Sequence, residues 1–200
     1  SVMRKVTRLL RKLGIDVRRK LFAEILGALG GAMRMVISGA APIDKETISF
    51  FDDIGVDIVQ GYGLTETSPV ISAENFKFKK LGSVGIPMYN VQVKIDNKDE
   101  DGMGEIKVKG PTVMLGYYEN PEATNEVMED GWFNTGDLGR LDDDGFLFIT
   151  GRKKDMIVLK NGKKVFPEEM ETLVNRIDGV AESFIYGASE DEGISYDKIV

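Results

Sequence analysis

Between Gln60 and Glu66 the chain reads Gln-Gly-Tyr-Gly-Leu-Thr-Glu. Tyr62 offers a flat ring, Thr65 a hydroxyl and Glu66 a carboxylate, the groups needed to hold a planar ligand, a phosphate oxygen and a hard metal ion. Gly61 and Gly63 bracket the tyrosine, and without a Cβ they let the backbone turn and approach a ligand closely. A second chemical stretch runs from Asp130 to Leu138, Asp-Gly-Trp-Phe-Asn-Thr-Gly-Asp-Leu. Its Asp137, beside Gly136, is a carboxylate that can accept from sugar hydroxyls or, alternatively, serve a cap or turn. Trp132 and Phe133 read as core anchors. Two further stretches are the charge cluster Gly151-Arg152-Lys153-Lys154-Asp155 and the small-residue loop Gly39-Ala40-Ala41-Pro42, which lets a flat ring lie against backbone.

The elements that must position these groups follow from the flanking patterns. The apolar run Val56 to Val59 predicts a buried strand that delivers Gln60 to Glu66 at its carboxyl end, where ligands sit in open α/β sheets. Met33 to Ser38 predicts a second strand, entering the loop 39–42. Asp44 is placed to cap a helix from Lys45 to Asp53 with Glu46 in its first turn, so the loop also has the plainer meaning of a strand-to-helix turn. Strand, helix and strand in this order predict a βαβ unit with parallel strands and both loops at one sheet edge.

Upstream, apolar residues from Val2 to Leu29 recur at three- and four-residue spacing, an amphipathic helical pattern broken near Gly14. The other face carries Arg4, Lys5, Arg8, Arg11, Lys12, Arg18, Arg19 and Lys20. This is either a membrane-surface helix meeting anionic headgroups or a core helix with a solvated basic face, and the second is adopted here. Downstream, Thr67 to Lys80 is polar and without period. Val91, Val93 and Ile95, then Ile106 and Val108, alternate around the turn Asp96 to Gly102 and predict an antiparallel hairpin. That acidic turn lacks the ligand spacing of an EF-hand and reads as a charged turn. Asn120 and Pro121 start a short helix. Phe146 to Ile149 predicts a strand, and the β pattern breaks at Gly151. Lys160-Asn161-Gly162-Lys163 is a hairpin turn of the Asn-Gly kind, Pro167 to Ile177 a helix, and Glu182 to Tyr186 a last strand.

Composition narrows the chemistry. With 200 residues, 42% hydrophobic and 30% charged, the chain can bury a core. Its 26 basic against 33 acidic residues, net −7, argue against a general nucleic-acid binder. There is no cysteine and no histidine, which removes thiol nucleophiles, disulfides, Cys/His zinc sites and imidazole triads. Catalysis must then use Lys, Arg, carboxylates, hydroxyls or a bound metal. No signal peptide or membrane span is visible, and a cytoplasmic location is expected.

Four separate motifs, in order from Gly30 to Tyr186, resemble the AMP-forming acyl-CoA synthetases of the adenylate-forming superfamily. The resemblance implies an α/β fold with mixed sheets: the end of a large adenylating domain (1–81), a distorted antiparallel β-barrel subdomain (82–151), a hinge (152–154) and the start of a small α+β C-terminal domain (155–200). It implies a reaction in which a carboxylate attacks the α-phosphate of ATP to give an acyl-adenylate, from which coenzyme A displaces AMP. By motif, Gly39, Ala40, Ala41 and Pro42 would line the adenine pocket. Gln60, Gly61, Tyr62 and Gly63 would border the nucleotide, with Tyr62 stacked on adenine. Thr65 would bond the α-phosphate and Glu66 would help hold Mg2+. Asp137 would accept from the ribose hydroxyls and Arg152 would donate nearby. Lys154 matches the hinge position, and Lys160, Asn161 and Gly162 the loop that approaches coenzyme A.

The wording around Gly151 to Ile157 and Lys163 to Glu169 looks most like bacterial long-chain fatty-acid members. The family's Ser/Thr/Gly-rich phosphate loop and its late lysine are absent, so the chain is expected to be an inactive fragment of a larger synthetase. Partners expected are ATP, a carboxylic acid and coenzyme A, with peripheral membrane contact and pairing through a mobile, truncated tail as further expectations. The alternatives are an adenylating enzyme that loads a carrier protein or stops at the adenylate, and a non-catalytic nucleotide-binding or interaction module.

Overall fold

The computed structural model describes residues 2–41 and 43–188, and the backbone of residues 198–199. Two compact units, residues 1–88 and 89–200, are described in turn.

The first unit begins with helices α1 (Val2–Lys12), α2 (Arg18–Leu21) and α3 (Ala23–Ala28). Strand β1 (Met35–Ser38), helix α4 (Lys45–Ile54) and strand β2 (Asp57–Tyr62) follow. A 3-10 turn (Thr65–Thr67) and the short strands β3 (Ser72–Ala73) and β4 (Ile86–Pro87) complete it. The βαβ expectation holds: β1 and β2 run parallel with Ser38 opposite Gln60. Asp44 caps α4 by accepting from the Thr47 N–H at 3.2 Å, and Gly55 ends the helix at φ +86°. The polar stretch without period, Thr67 to Lys80, contains β3, which pairs antiparallel with β2 and with β4. A strand of two residues has no period to detect.

The α1 helix corrects the adopted core helix in where its apolar side goes. Arg4 and Arg8 close on Asp53 of α4 and Arg11 reaches Asp52, while Lys5, Arg8, Arg11 and Lys12 keep exposed surface. Val2, Val6, Leu9 and Leu13 are exposed. The cause is Asp53, which is only 2% exposed. A buried carboxylate needs cationic partners, and arginines at i and i+4 on one helix supply them. The apolar core of this unit comes instead from Phe22, Leu26, Ile54 and Val56, against which Val36 and Phe51 pack.

The second unit contains β5 (Gln92–Asp96), β6 (Gly104–Lys109), α5 (Pro121–Val127), β7 (Met128–Glu129), β8 (Trp132–Leu141) and β9 (Leu147–Arg152). After these come the hairpin β10 (Ile157–Val158) and β11 (Lys164–Val165), helix α6 (Pro167–Val174), β12 (Gly187–Ala188) and β13 (Lys198–Ile199). The hairpin β5–β6 forms in the expected register, Val93 opposite Val108 and Ile95 opposite Ile106. Strand β8 joins it, and β7 and β9 both pair along the other edge of β8, making a curled antiparallel sheet. Ile95, Ile106, Val108, Phe133 and Leu147 are buried. Asn120 caps α5 by accepting from the Ala123 N–H at 3.1 Å.

Three expectations for this unit are corrected. Trp132 to Leu138 lies within the ten-residue strand β8, so Asp137 does not take the alternative cap or turn role. Strand β9 runs through Arg152, so the β pattern ends after the expected break at Gly151. Glu182 to Tyr186 is not a strand, although Ile185 is buried with Ile157 and Val165, while Phe184 is exposed. The expected mobile or pairing tail falls largely on residues 189–197 and 200, outside the described residues. Among the described residues no helix is long and apolar enough to cross a membrane.

Candidate functional site

In the first unit the parallel register of β1 and β2 brings the two expected loops to one edge. A Cβ on Gly39 would lie 3.3 Å from the Gly61 carbonyl oxygen, so these backbones stand in close approach. Ala40 has φ +68°, a left-handed conformation that costs an alanine about 1 kcal/mol and needs surrounding structure to hold it. Gly39, Ala40 and Ala41 are exposed, and Pro42 lies outside the described residues.

Tyr62 ends β2 and is largely buried. Beyond it the chain folds back so tightly that a Cβ on Gly63 would sit 1.7 Å from the Pro69 carbonyl oxygen, leaving glycine as the one residue that fits. Thr67 fixes this turn and was missed in the sequence. Its side chain is fully buried, and its hydroxyl accepts from the Leu64 N–H at 3.0 Å and donates to the Leu64 carbonyl at 2.9 Å. The only available signal was a hydroxyl residue three positions after Leu64, a common turn device. The result presents Thr65 exposed and Glu66 half-buried.

A buried carboxylate, Glu74, braces this half and was also missed. It accepts from the Gln60 N–H at 3.1 Å, the Lys80 N–H at 2.9 Å and the Ser83 hydroxyl at 3.2 Å. The Gln60 side-chain amide donates to the Ser83 carbonyl at 2.8 Å, which gives that residue a supporting place. Among the described residues no group of three or more His, Cys, Asp or Glu side chains gathers to cage a metal. The half-buried Glu66 carboxylate, next in sequence to the Thr65 hydroxyl, fits Mg2+, which keeps several waters and shares its coordination with phosphate oxygens.

In the second unit Asp137 on β8 stands opposite Arg152 on β9 in the strand register. The Arg152 Nε lies 3.0 Å from Asp137 Oδ1, and its Nη1 donates to the Thr135 carbonyl at 3.3 Å. Thr135 is buried; its hydroxyl donates to the Ile106 carbonyl at 2.8 Å and accepts from the Asp137 N–H at 3.1 Å. Gly136, between them, takes φ +72°. Asp137 is 5% exposed, whereas the Arg152 side chain is 41% exposed. A carboxylate acceptor beside a fixed guanidinium donor suits vicinal hydroxyls next to an anionic group.

Glu168, at the start of α6, belongs to the same neighbourhood. Its carboxyl is pushed up from the ordinary value by burial first, then by Asp155, Glu171 and Asp137, with Arg152 opposing. Sequence reasoning saw it only as a helix-start residue. Lys153 is tied down, its N–H donating to the Gly136 carbonyl at 2.8 Å and its Nζ meeting Glu105 at 2.7 Å. Lys154 is exposed. Lys160, Asn161 and Gly162 form the exposed tip of the β10–β11 hairpin, Gly162 at φ +81° and Asn161 Oδ1 accepting from the Lys163 N–H at 3.0 Å.

Residues 1–118 match the AMP-binding enzyme family. The chain is 39% identical over 169 residues to a long-chain-fatty-acid–CoA ligase of Mycobacterium bovis, covering 84% of this chain and 27% of that protein. It is 34% identical over 192 residues to a 2-succinylbenzoate–CoA ligase of Bacillus cereus, covering 89% and 39%. Among solved structures it resembles an O-succinylbenzoate coenzyme A synthetase from Bacillus subtilis in complex with ATP and a magnesium ion, with a TM-score of 0.73 and 32% identity over 85% of this chain and 38% of that one. The chain thus spans about a quarter to two-fifths of the length of these relatives.

Proposed function

We propose, from the premise that this chain belongs to the AMP-binding enzyme family, that it is part of an ATP-dependent, AMP-forming acyl-CoA synthetase acting on a long-chain fatty acid. The observation that carries this is the buried Asp137 held against a half-exposed Arg152 by strand pairing. Asp137 accepts from the ribose hydroxyls, and Arg152 donates on the same side through its planar guanidinium. The loop 39–42, Gln60, Gly61, Tyr62 and Gly63 border the adenine. The Thr65 hydroxyl donates to an α-phosphate oxygen. Mg2+, when held by Glu66, supplies neutralisation of phosphate charge. Lys154 is the hinge between 82–151 and 155–200, and Lys160, Asn161 and Gly162 meet coenzyme A.

The long-chain substrate is supported by the 39% identical Mycobacterium bovis relative. A second substrate, an aromatic dicarboxylic acid, has the Bacillus relatives in its favour. The protein works in the cytoplasm at the membrane periphery. By itself the chain binds nucleotide without turning over. Calorimetric titration with two non-hydrolysable acyl-adenylate mimics, one with a long fatty acyl group and one with a succinylbenzoyl group, tests this. Binding near micromolar, about −8 kcal/mol, with preference for the fatty acyl mimic is expected. Preference for the succinylbenzoyl mimic would select the second substrate, and no binding of either would overturn the assignment.

A further inference from the structure

We propose that the loop from Asn75 to Leu81, Asn-Phe-Lys-Phe-Lys-Lys-Leu, is a membrane-binding element that recognises anionic lipid surfaces. All seven of its residues are exposed, and the apolar ones conspicuously so: Phe76 at 62%, Phe78 at 54% and Leu81 at 54%. Water disfavours such a row of large apolar side chains unless it serves an interaction.

The loop is held out by specific bonds. Asn75 Oδ1 accepts from the N–H groups of Lys77 and Phe78, each at 2.9 Å, and the Asn75 N–H donates to the Phe78 carbonyl at 3.0 Å. The buried Glu74 takes the Lys80 N–H and anchors Ser83, so both ends of the loop are fixed to the sheet. Phe76 and Phe78 are therefore presented by a built turn.

The interleaved charge selects the occupant. Lys77, Lys79 and Lys80 alternate with the aromatics in a chain of net charge −7, making a local basic patch on an acidic protein. Lys79 is oriented by Asp57 at 2.6 Å. An apolar groove on a protein partner would have to desolvate Lys77 between its two phenylalanines, which is costly without a matching acid. A lipid surface suits both groups: rings rest at the headgroup level, and lysines meet the anionic leaflet within a Debye length. The α1 helix also turns apolar residues outward, so it is the competing element that the test must separate.

Flotation of this chain with vesicles of phosphatidylcholine alone and of phosphatidylcholine with phosphatidylserine tests the proposal. The expected result is recovery with the mixed vesicles, at least about tenfold stronger than with phosphatidylcholine alone and weakened by salt. The double variants Phe76→Ser/Phe78→Ser and Lys77→Glu/Lys80→Glu should each lower binding about tenfold or more. Leu9→Ser/Leu13→Ser on α1 should leave it unchanged. Circular dichroism checks that each variant is folded, and the lysine pair tests the loop even if the phenylalanine pair is not. Failure to float with mixed vesicles, or flotation lost in the α1 variant and kept in both loop variants, would overturn the proposal. So would sedimentation showing that the loop variants only dissolve a dimer of this chain.

Discussion

Asp53 and Asp137 are both aspartates with almost no exposed surface, and arginine meets both, but the two pairs differ in what they hold together. Asp53 receives three hydrogen bonds of 2.5 to 2.7 Å from Arg4 and Arg8, which fill both its oxygens and tie α1 to α4. Asp137 is held at 3.0 Å by a guanidinium that is part of a strand edge and 41% exposed. The first ties α1 to α4 across 45 and 49 positions of sequence, and its product is the fold of the first unit. The second joins β8 and β9, strands that their own ladder already pairs, beside the left-handed Gly136. Burial of a carboxylate against an arginine thus does not mark a site; a pair that the fold does not need is the candidate.

The largest effect that would sharpen this contrast is Asp53→Ala. Leaving two arginines facing an emptied buried position should cost about 3 kcal/mol, toward the low end for a broken buried pair because the arginine heads touch water. Urea unfolding should show this loss, while Asp137→Ala costs about 1 kcal/mol or less; equal losses would break the contrast. Acid removes the same support by protonation, and by no more than the substitution does. Burial works against ionisation of Asp53, but the hydrogen bonds from Arg8 and Arg4 prevail and hold its carboxyl below the usual range. Asp16, bonded by Arg18, is lowered to about 2 from an ordinary 3.8. Both groups bind protons less tightly folded than unfolded, so their support is complete above the ordinary carboxylate value; that of Asp16 disappears as pH falls toward about 2 and that of Asp53 as pH falls through its own lowered value. Glu168 runs the other way: its raised value means that its contribution is most favourable below its ordinary 4.5 and declines as pH rises through the folded value. Circular dichroism from pH 6 to pH 2 should therefore show the helices of the first unit weakening in acid.

Smaller effects test shape instead of charge. Gly63→Ala would force a methyl into the Pro69 carbonyl and should cost about 2 kcal/mol, together with nucleotide binding. Thermal unfolding paired with calorimetry distinguishes this from Asp137→Asn, which should lose binding and keep stability. The smallest is Asp44→Ala, where one cap hydrogen bond to Thr47 is removed and about 1 kcal/mol is expected in thermal unfolding.

Much of this was legible in the sequence because it is written locally. The β1–α4–β2 unit, the Asp44 and Asn120 caps, the Asn161-Gly162 turn and the β5–β6 hairpin each rest on a few neighbouring residues. The side of α1 that faces inward was not legible, because it is set by an aspartate 45 and 49 positions away. Thr67, Thr135 and Glu74 were missed for the same reason: their work is to satisfy backbone groups, and nothing in a hydroxyl or carboxylate announces which backbone it will meet. Asp137 and Arg152 were found as residue types, but only the register of β8 against β9 explains why they stand together.

The most direct test of the Asp137–Arg152 pair is AMP affinity by calorimetry for the chain and for Asp137→Asn, with thermal unfolding measured on the same samples. The account predicts at least about a tenfold loss of affinity, since hydrogen bonds to a charged group are worth about 1.5–3 kcal/mol, with little change in unfolding temperature. Unchanged affinity accompanied by a large loss of stability would contradict it, and would make Asp137 a second Asp53.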